Sequence, residues 1–402
     1  MEKGLNQFFT DYVKKESLFA SKKALQSNYI PDMLEHRDEE INQIAQVLAP
    51  VLRGDRPSNL FIYGKTGTGK TVSIKHVTQN LVQVAKNQEV ALNVCYVNCK
   101  LKKITDTEYR LIAHLSRELG KEIPATGLPT DEVYKIFLAA LEEAKTNMIL
   151  VLDEIDHLVQ KAGDELLYNL VRHNAELENS QIAVVGISND LVFTDHIDPR
   201  VKSSLSEEEL LFAPYNALQI QDILRKRTSQ GFGKGKIEPG VVEKCAAFAA
   251  REHGDARRAI DLLRVAGELA ERNNEPKVCV SHLDVAEAKI EKDRVVESVT
   301  KQPKQVQAVL HSIFHTADSE RKIIFTGEVY SEYSELCAKI GLRPLTQRRV
   351  SDVIGELDML GIINARVISK GRYGRTREIT IPLAEQMVEH LTGLLKDALF
   401  FS

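Results

Sequence analysis

No apolar stretch in the 402-residue chain is long enough to cross a bilayer: the apolar runs, MILVL at 148–152 among them, are only a few residues long, whereas a spanning helix needs roughly 20 such residues. A signal peptide is missing as well. The opening segment, MEKGLNQFFTDYVKKESLFASKK, scatters lysines throughout and holds no apolar core, so a soluble, intracellular protein with no membrane partner is expected. Cysteine is scarce: Cys95, Cys99, Cys245, Cys279 and Cys337 are odd in number and widely scattered, the usage of reduced thiols. The one close pair, Cys95 and Cys99, lies in a strand-like run, where four residues set the sulfurs about 13 Å apart, too far to share a metal. Internal repeats and low-complexity tracts are absent. So is a large charge imbalance, since the net charge of -4 argues against a uniformly basic DNA-coating protein. That average hides one region. Between Arg343 and Arg377 stand Arg343, Arg348, Arg349, Arg366, Lys370, Arg372, Arg375 and Arg377 against only Asp352, Glu356 and Asp358, a local excess of +5.

The length predicts two to three domains of about 150 residues each. Apolar runs NLFIYG (59–64), ALNVCYVNC (91–99), MILVLDE (148–154) and QIAVVGIS (181–188) alternate with amphipathic stretches, the pattern of parallel strands joined by helical crossovers. After about residue 205 the strand signal stops. Helical periodicity then dominates in ALQIQDILRKR, VVEKCAAFAAREH, DARRAIDLLRVAGELAERN and SHLDVAEAKIEK. The polar, proline-bearing stretch ESVTKQPKQ (297–305) reads as a boundary. The reading is therefore an α/β nucleotide-binding domain over 1–206, a helical domain over 207–296 and a third domain over 304–402.

The run Gly64, Lys65, Thr66, Gly67, Thr68, Gly69, Lys70, Thr71 fits the phosphate-binding loop pattern, with the strand NLFIY before it and a helical stretch from Thr71 and Val72 after it. Glycines let successive backbone N–H groups wrap phosphates at a helix N-terminus, and a lysine reaches the outer oxygens. Lys70 takes that part, and the Thr71 hydroxyl would go to Mg²⁺. MILVL then ends in Asp153 and Glu154, two carboxylates at the tip of a buried strand, where open parallel sheets bind ligands. Asp153 would hold Mg²⁺ and Glu154 would polarise an attacking water. ATP and ADP are the expected ligands, and hydrolysis is expected to be slow and switch-like.

Beyond the boundary, QVQAVLHSIFH, FTGEVYSEYSELCAKIG and LTQRRVSDVIGELDMLG read as three helices, followed by the strand-like runs INARVIS and REITIPL joined by KGRYGRT. This is a winged helix-turn-helix pattern. In the third helix Val350, Val353, Ile354, Leu357 and Leu360 share a core face, which leaves Gln347, Arg348, Ser351 and Asp352 nearer the exposed side. Arg348 and Arg349 could reach a major groove, and Lys370, Arg372 and Arg375 form a basic hairpin tip suited to backbone or minor groove. A winged helix used for protein contacts stays open as the alternative.

Taken in order along nearly the whole chain, YIPDMLEHRDEEI (29–41), GKTGTGKT, LDEID, GISND (186–190), DPRVKSSL (198–205), FAPYNALQIQDIL (212–224), GDARRAIDLLR (254–264) and the winged helix resemble the AAA-plus ATPases, and among them the archaeal origin-recognition and cell-division-cycle-six type replication initiators. The resemblance implies an AAA-plus domain, a helical lid, and a protein that binds replication-origin duplex and helps recruit a replicative helicase alongside other initiator subunits, associated with the nucleoid. It implies that Asn189 is a sensor of the attacking water, although a helix cap is the plainer reading. Arg257 would be the lid arginine at the γ-phosphate, with Arg258 as competitor. Tyr215 and Arg227 would flank the base and ribose, Tyr215 being equally a core aromatic. Arg200 would be a finger completing a neighbouring subunit's site, or an ordinary ion pair. Ile30 and Arg37 fall in the segment that lines the adenine pocket in relatives. The stretch Lys100 to Pro129 resembles an initiator-specific helical insertion touching DNA through Lys102, Lys103 and Arg110. A nucleotide-gated regulator without hydrolysis and a generic protein remodeller remain as rivals.

Overall fold

A computed structural model of the chain describes residues 9, 10, 13, 15–26, 29–31, 33–100, 106–124, 126–193, 197–205, 208–252, 254–317, 323–369 and 375–400, with the backbone alone at 204, 205, 369 and 375. These residues form two compact units, divided after Leu283.

In the first unit β1 (Leu60–Tyr63), β2 (Leu92–Asn98), β3 (Asn147–Asp153), β4 (Ile182–Ser188) and β5 (Glu208–Leu211) make one parallel sheet ordered β2-β3-β4-β1-β5. Side chains alternate along a strand, so β3 sends Met148, Leu150 and Leu152 into one apolar layer and Ile149 and Val151 into the other. The first layer is closed by α3 (Glu108–Glu118), α4 (Thr130–Ala144), α5 (Ile155–Ala162) and α6 (Glu165–Arg172); the second by α1 (Asp38–Leu48) and α2 (Lys70–Asn87). Burial on both faces is why the middle strands read as unbroken apolar runs. The edge strand β5 differs. It pairs only with β1, and of its residues EELL Leu210 alone is buried, so it carries no apolar pattern and contradicts the expectation that strands end near 205.

The short α7 (Pro199–Leu205) precedes β5. The helical part then comprises α8 (Ala217–Gly231), α9 (Val241–Arg251), α10 (Ala256–Arg272) and the start of α11 (Val280–Thr300). Asn216 and Gln219 cap α8 reciprocally, and the Asp255 carboxylate caps α10 by accepting from Arg258 N at 3.1 Å. At the head of α11, Cys279, His282 and Glu275 gather; the imidazole Nδ1 accepts the Cys279 N–H (3.1 Å) and Nε2 faces Glu275 (3.3 Å). A strap from the N-terminal segment is added to these helices. Phe19 bridges Phe232 with their rings stacked, Ala20 and Ser21 donate to the Gly231 carbonyl, and Ser17 and Lys22 both hold the buried Glu271 of α10. Gly267 lets the two rings lie against α10, since a Cβ there would stand 2.7 Å from each.

Within the polar stretch at 297–305, α11 continues to Thr300, the helix breaks at 301–303, and α12 (Lys304–Thr316) begins after Pro303. The second unit packs α12, α13 (Thr326–Ile340) and α14 (Gln347–Met359) with β6 (Ile324–Phe325), β7 (Asn364–Ser369) and β8 (Arg375–Thr380), in the sheet order β6-β8-β7, around one core. A final helix, α15 (Glu385–Phe400), closes that core with Leu391, Leu395 and Leu399. None of the helices among the described residues is long and apolar enough to cross a membrane.

His311 on α12 is buried with no hydrogen-bond partner at either ring nitrogen; His315 stacks beside it and the Phe400 ring meets it edge-on. Burial, then the neighbouring His315 and Lys396, bring its pKa down to about 4. The unfolded chain binds that proton near pH 6.5 and the folded chain does not, so the stability of this unit should be full above about 6.5 and fall as the pH drops toward 4. Thermal unfolding of wild type and His311→Leu across that range checks this: the stability of the wild type relative to the variant should fall with rising acidity, and a constant difference refutes it.

Candidate functional site

Strand β1 ends at Tyr63 and α2 begins at Lys70, so residues 64–69 wrap the N-terminus of an 18-residue helix. Positive φ at Gly67 (71°) and Gly69 (96°) makes the wrap possible. A Cβ on Gly67 would also run into the Asp255 carboxylate at the head of α10, and the Gly67 carbonyl accepts the Ala256 N–H at 3.3 Å. The helical lid thus rests directly on the loop.

A small cavity of about 60 Å³ opens above the loop, lined by Thr66 to Val72 together with Asp153, Glu154, Asn189 and Arg257. The Lys70 ammonium donates to the Gly64 and Lys65 carbonyls (2.6 and 2.8 Å) and to Asn189 Oδ1 (2.9 Å). Burial, opposed in part by the Asp153 charge, lowers its pKa to about 8. Thr71 Oγ1 donates to Asp153 Oδ2 at 2.9 Å, setting a hydroxyl and a carboxylate side by side. Glu154 is the N-cap of α5 with φ 57°, ψ 47°, a left-handed backbone unusual for a non-glycine residue. Among the described residues its Oε2 has no hydrogen-bond partner; Lys100 Nζ and His157 Nε2 each stand 3.9 Å away. Asn189 follows β4 in a bend, and its side-chain oxygen accepts from Lys70. Of the two lid arginines Arg257 faces the cavity, whereas Arg258 pairs with Glu252.

A larger cavity of about 280 Å³ adjoins the first, sharing Gly67, Gly69, Val72 and Arg257 and adding Tyr29, Pro31, Met33, Tyr215, Arg227 and Ile260. Exposed Met33 gives this cavity an apolar side. Tyr215 is both wall and core: its ring is buried and its hydroxyl lies under Gly69. Arg227 donates to the Ala24 and Tyr29 carbonyls and covers the Tyr29 ring, bracing the wall. Ile30 is not among the lining residues; Tyr29 and Pro31 on either side of it are. Arg37 is not among them either. It lies buried beneath the loop, donating to the carbonyls of Thr68 (2.9 Å) and Ala213, pairing with Glu40 and stacking 4.0 Å over Tyr215. Arg200, on α7, is exposed and forms a two-point pair with Asp198, away from both cavities.

In the second unit Gln347, Arg348 and Ser351 of α14 face a groove of about 860 Å³, with Phe325 to Glu328 on one side and Val367, Thr376 and Arg377 of the hairpin on the other. Arg349 turns away, its guanidinium 3.0 Å from Glu356. Val350, Val353, Ile354 and Leu357 are buried, but Leu360 is half-exposed beyond the end of the helix. Arg377 joins the groove, a position that sequence counted only as part of a charge excess. Lys102, Lys103, Lys370 and Arg372 lie outside the described residues, and of Arg375 only the backbone, paired to Ser369, is described. Arg110 pairs with Asp106, on a helix whose Leu111, Ile112 and Leu115 belong to the sheet domain's core.

The phosphate-loop pattern after β1 of a five-stranded parallel sheet, the helices that follow the sheet and the three-helix unit with its small sheet together define an AAA-type domain with a helical lid, joined to a winged helix. Comparison agrees segment by segment: residues 53–191 match the AAA domain, 221–289 the Cdc6 AAA+ ATPase-type lid domain and 297–390 the Cdc6 C-terminal winged helix domain. The ORC1-type DNA replication protein of Thermococcus onnurineus is 50% identical over 391 residues, 96% of this chain and 94% of that one. The ORC1-type DNA replication protein 1 of Methanosarcina mazei is 49% identical, covering 94% of this chain and 91% of its own. The Aeropyrum pernix ORC1 protein, solved in complex with DNA, superposes with a TM-score of 0.86 at 44% identity, over 96% of this chain and 99% of that one. The chain belongs to the ORC1-type DNA replication protein family.

With Lys70 deprotonating near pH 8 in the free protein, nucleotide affinity should be flat below that pH and weaken above it, approaching tenfold per pH unit. ADP titrations between pH 6.5 and 9.5 measure this, and a flat profile to pH 9.5 would refute a lysine whose proton is lost near pH 8 and felt by the phosphates.

Proposed function

We propose that the chain is an ATP-driven switch that binds replication-origin duplex and helps recruit a replicative helicase. What carries the reading is the convergence of Lys70, Asp153, Glu154, Asn189 and Arg257, from four separate segments, on one cavity at the head of α2. Lys70 holds the outer phosphates and the loop amides wrap the inner ones. The larger cavity takes the adenine between Met33, Tyr215 and the segment braced by Arg227. Thr71 and Asp153 offer the hard oxygen donors that suit Mg²⁺, an ion that would neutralise phosphate charge when bound. Glu154, with an oxygen free of hydrogen bonds, orients and deprotonates the attacking water; Asn189 fixes the distance between that water and Lys70. Arg257 reads the γ-phosphate and so couples lid position to nucleotide state. Arg200 would complete a neighbouring subunit's site only after leaving Asp198.

In the winged helix Arg348 and Arg377 present charge to duplex DNA from two sides of one groove. That the 44% identical Aeropyrum pernix ORC1 protein was solved in complex with DNA supports DNA binding by this chain. Origin specificity and the helicase partner rest on family membership. The basic hairpin, with Lys370, Arg372 and Arg375, would follow the backbone or minor groove, and Lys102, Lys103 and Arg110 would add contacts from the first unit.

Lys70→Ala should weaken ATP binding about ten- to a hundredfold, as loss of a charge-assisted contact does. Glu154→Gln should keep binding and lose hydrolysis by about 10²- to 10⁴-fold. Single-turnover hydrolysis beside equilibrium binding separates them; hydrolysis by Glu154→Gln at the wild-type rate would dismiss that carboxylate as the base.

For DNA, Arg348→Ala should cost about 1–3 kcal/mol of discrimination between cognate and random duplex, whereas Arg349→Ala, already paired to Glu356, should cost much less. Arg377→Ala should lower the salt slope by about one. Binding isotherms over a salt series check all three, and equal losses at Arg348 and Arg349 would overturn the assigned facing of the helix.

A further inference from the structure

The Asp153 carboxylate has a donor besides Thr71. Tyr96, on β2, sends its phenol to the same oxygen, Oδ2, that accepts from Thr71 Oγ1. Strand register brings this about: Asn98 lies opposite Asp153 in the β2–β3 pair and Tyr96 opposite Val151, so the long phenol reaches forward along the strand to the carboxylate. The ring is held on its other side as well. Lys75, one turn after Thr71 on α2, places its ammonium 4.1 Å over the ring centroid. Two residues further along β2, Asn98 Oδ1 accepts the Lys100 N–H at 3.0 Å. Burial, with the bond to Asp153 and that residue's charge, raises the phenol's pKa well above its usual value, so at working pH the group remains a donor.

Both donors fall on Oδ2, and among the described residues no hydrogen bond falls on Oδ1. A carboxylate fixed in this way has one oxygen committed to the protein and the other turned over to what occupies the cavity. An aspartate on a strand tip, held by the threonine alone, would keep rotational freedom about χ2, a torsion with a broad minimum. The hydroxyl of Thr71 is itself proposed to face the cation, which leaves the phenol as the donor with no other task at the site.

We infer that Tyr96 is a positioning residue for the divalent cation: its phenol locks the Asp153 carboxylate so that Oδ1 accepts from the cation's water shell. The inference rests on the nucleotide-site reading above and adds a residue to it. Tyr96 is not among the residues that line either cavity, and its influence would pass through Asp153.

The replacement Tyr96→Phe keeps the ring, and with it the contact to Lys75, and removes only the donor. Binding of a fluorescent ATP analogue is followed while Mg²⁺ is raised from an EDTA-treated start. The Mg²⁺ concentration giving half the metal-dependent tightening should rise about tenfold in the variant, the scale expected for one hydrogen bond to a charged group. Affinity in EDTA and the melting temperature should match the wild type. A general packing role would lower both of those and leave the Mg²⁺ midpoint in place, and that result overturns the inference. An unchanged midpoint with unchanged affinity overturns it too, while leaving the nucleotide site standing. A wild-type protein that binds the analogue with no response to Mg²⁺ overturns the inference together with the metal assignment of Thr71 and Asp153. Should the phenylalanine variant melt early, Tyr96→Met, of similar bulk and likewise without a donor, repeats the titration, and the same tenfold rise is required of it.

Discussion

The guanidinium of Arg37 lies almost entirely out of water beneath the phosphate loop, and the arrangement above it depends on how that charge is satisfied. An unpaired cation at that depth would cost several kcal/mol. Arg37 meets the demand with the carbonyls of Thr68 and Ala213, the Glu40 carboxylate and the face of Tyr215. Those partners come from the loop, from α1 and from the segment that leads into the lid. Satisfying one buried charge therefore fixes three parts of the chain relative to one another. The loop is shaped by glycines but anchored by this arginine.

Above that anchor, the lid and the loop share a surface too close for side chains. Gly67 meets Asp255 and the N-terminus of α10, and Gly69 meets the Tyr215 hydroxyl. Arg257 follows Asp255 by two residues on the same helix start, so the contact that seats the lid also sets how far the arginine reaches into the cavity. The left-handed backbone at Glu154 belongs to the same economy of space: it turns the chain from strand to helix within one residue and leaves the carboxylate at the mouth of the cavity.

Much of this was legible in the sequence because its chemistry is local. A loop that wraps phosphates needs its glycines, lysine and threonine within eight residues, and a carboxylate pair at a strand tip follows directly on the apolar run that buries the strand. The lid and winged helix were readable from periodicity and from ordered motifs. Other features depended on partners distant in the chain. β5 is an acidic edge strand with one buried leucine, so it offers no alternation to read. The strap of residues 15–26 and the closing helix α15 acquire their meaning only from the surfaces they cover. Arg348 and Arg349 are equivalent in a string of letters; one faces a groove and the other a glutamate because a helix turns 100° per residue. Arg37 sat in a segment assigned to the adenine wall, yet it works underneath the loop, and Tyr96 looked like one more strand aromatic.

The strap has a consequence for timing. Ser17 and Lys22 hold Glu271 of α10, the Ala24 and Tyr29 carbonyls hold Arg227 of α8, and Gln26 and Tyr29 form part of the wall of the larger cavity, where the adenine is proposed to sit. Wall and lid are thus stitched into one body. If the lid swings off the loop, Arg257 and the wall leave together, and the base loses its seat at the moment the phosphates lose their arginine. A nucleotide held in this way has no half-released state tethered by its base alone. Its residence time would be set by one concerted opening, and a partner that clamps the strap would lengthen that residence without touching the nucleotide.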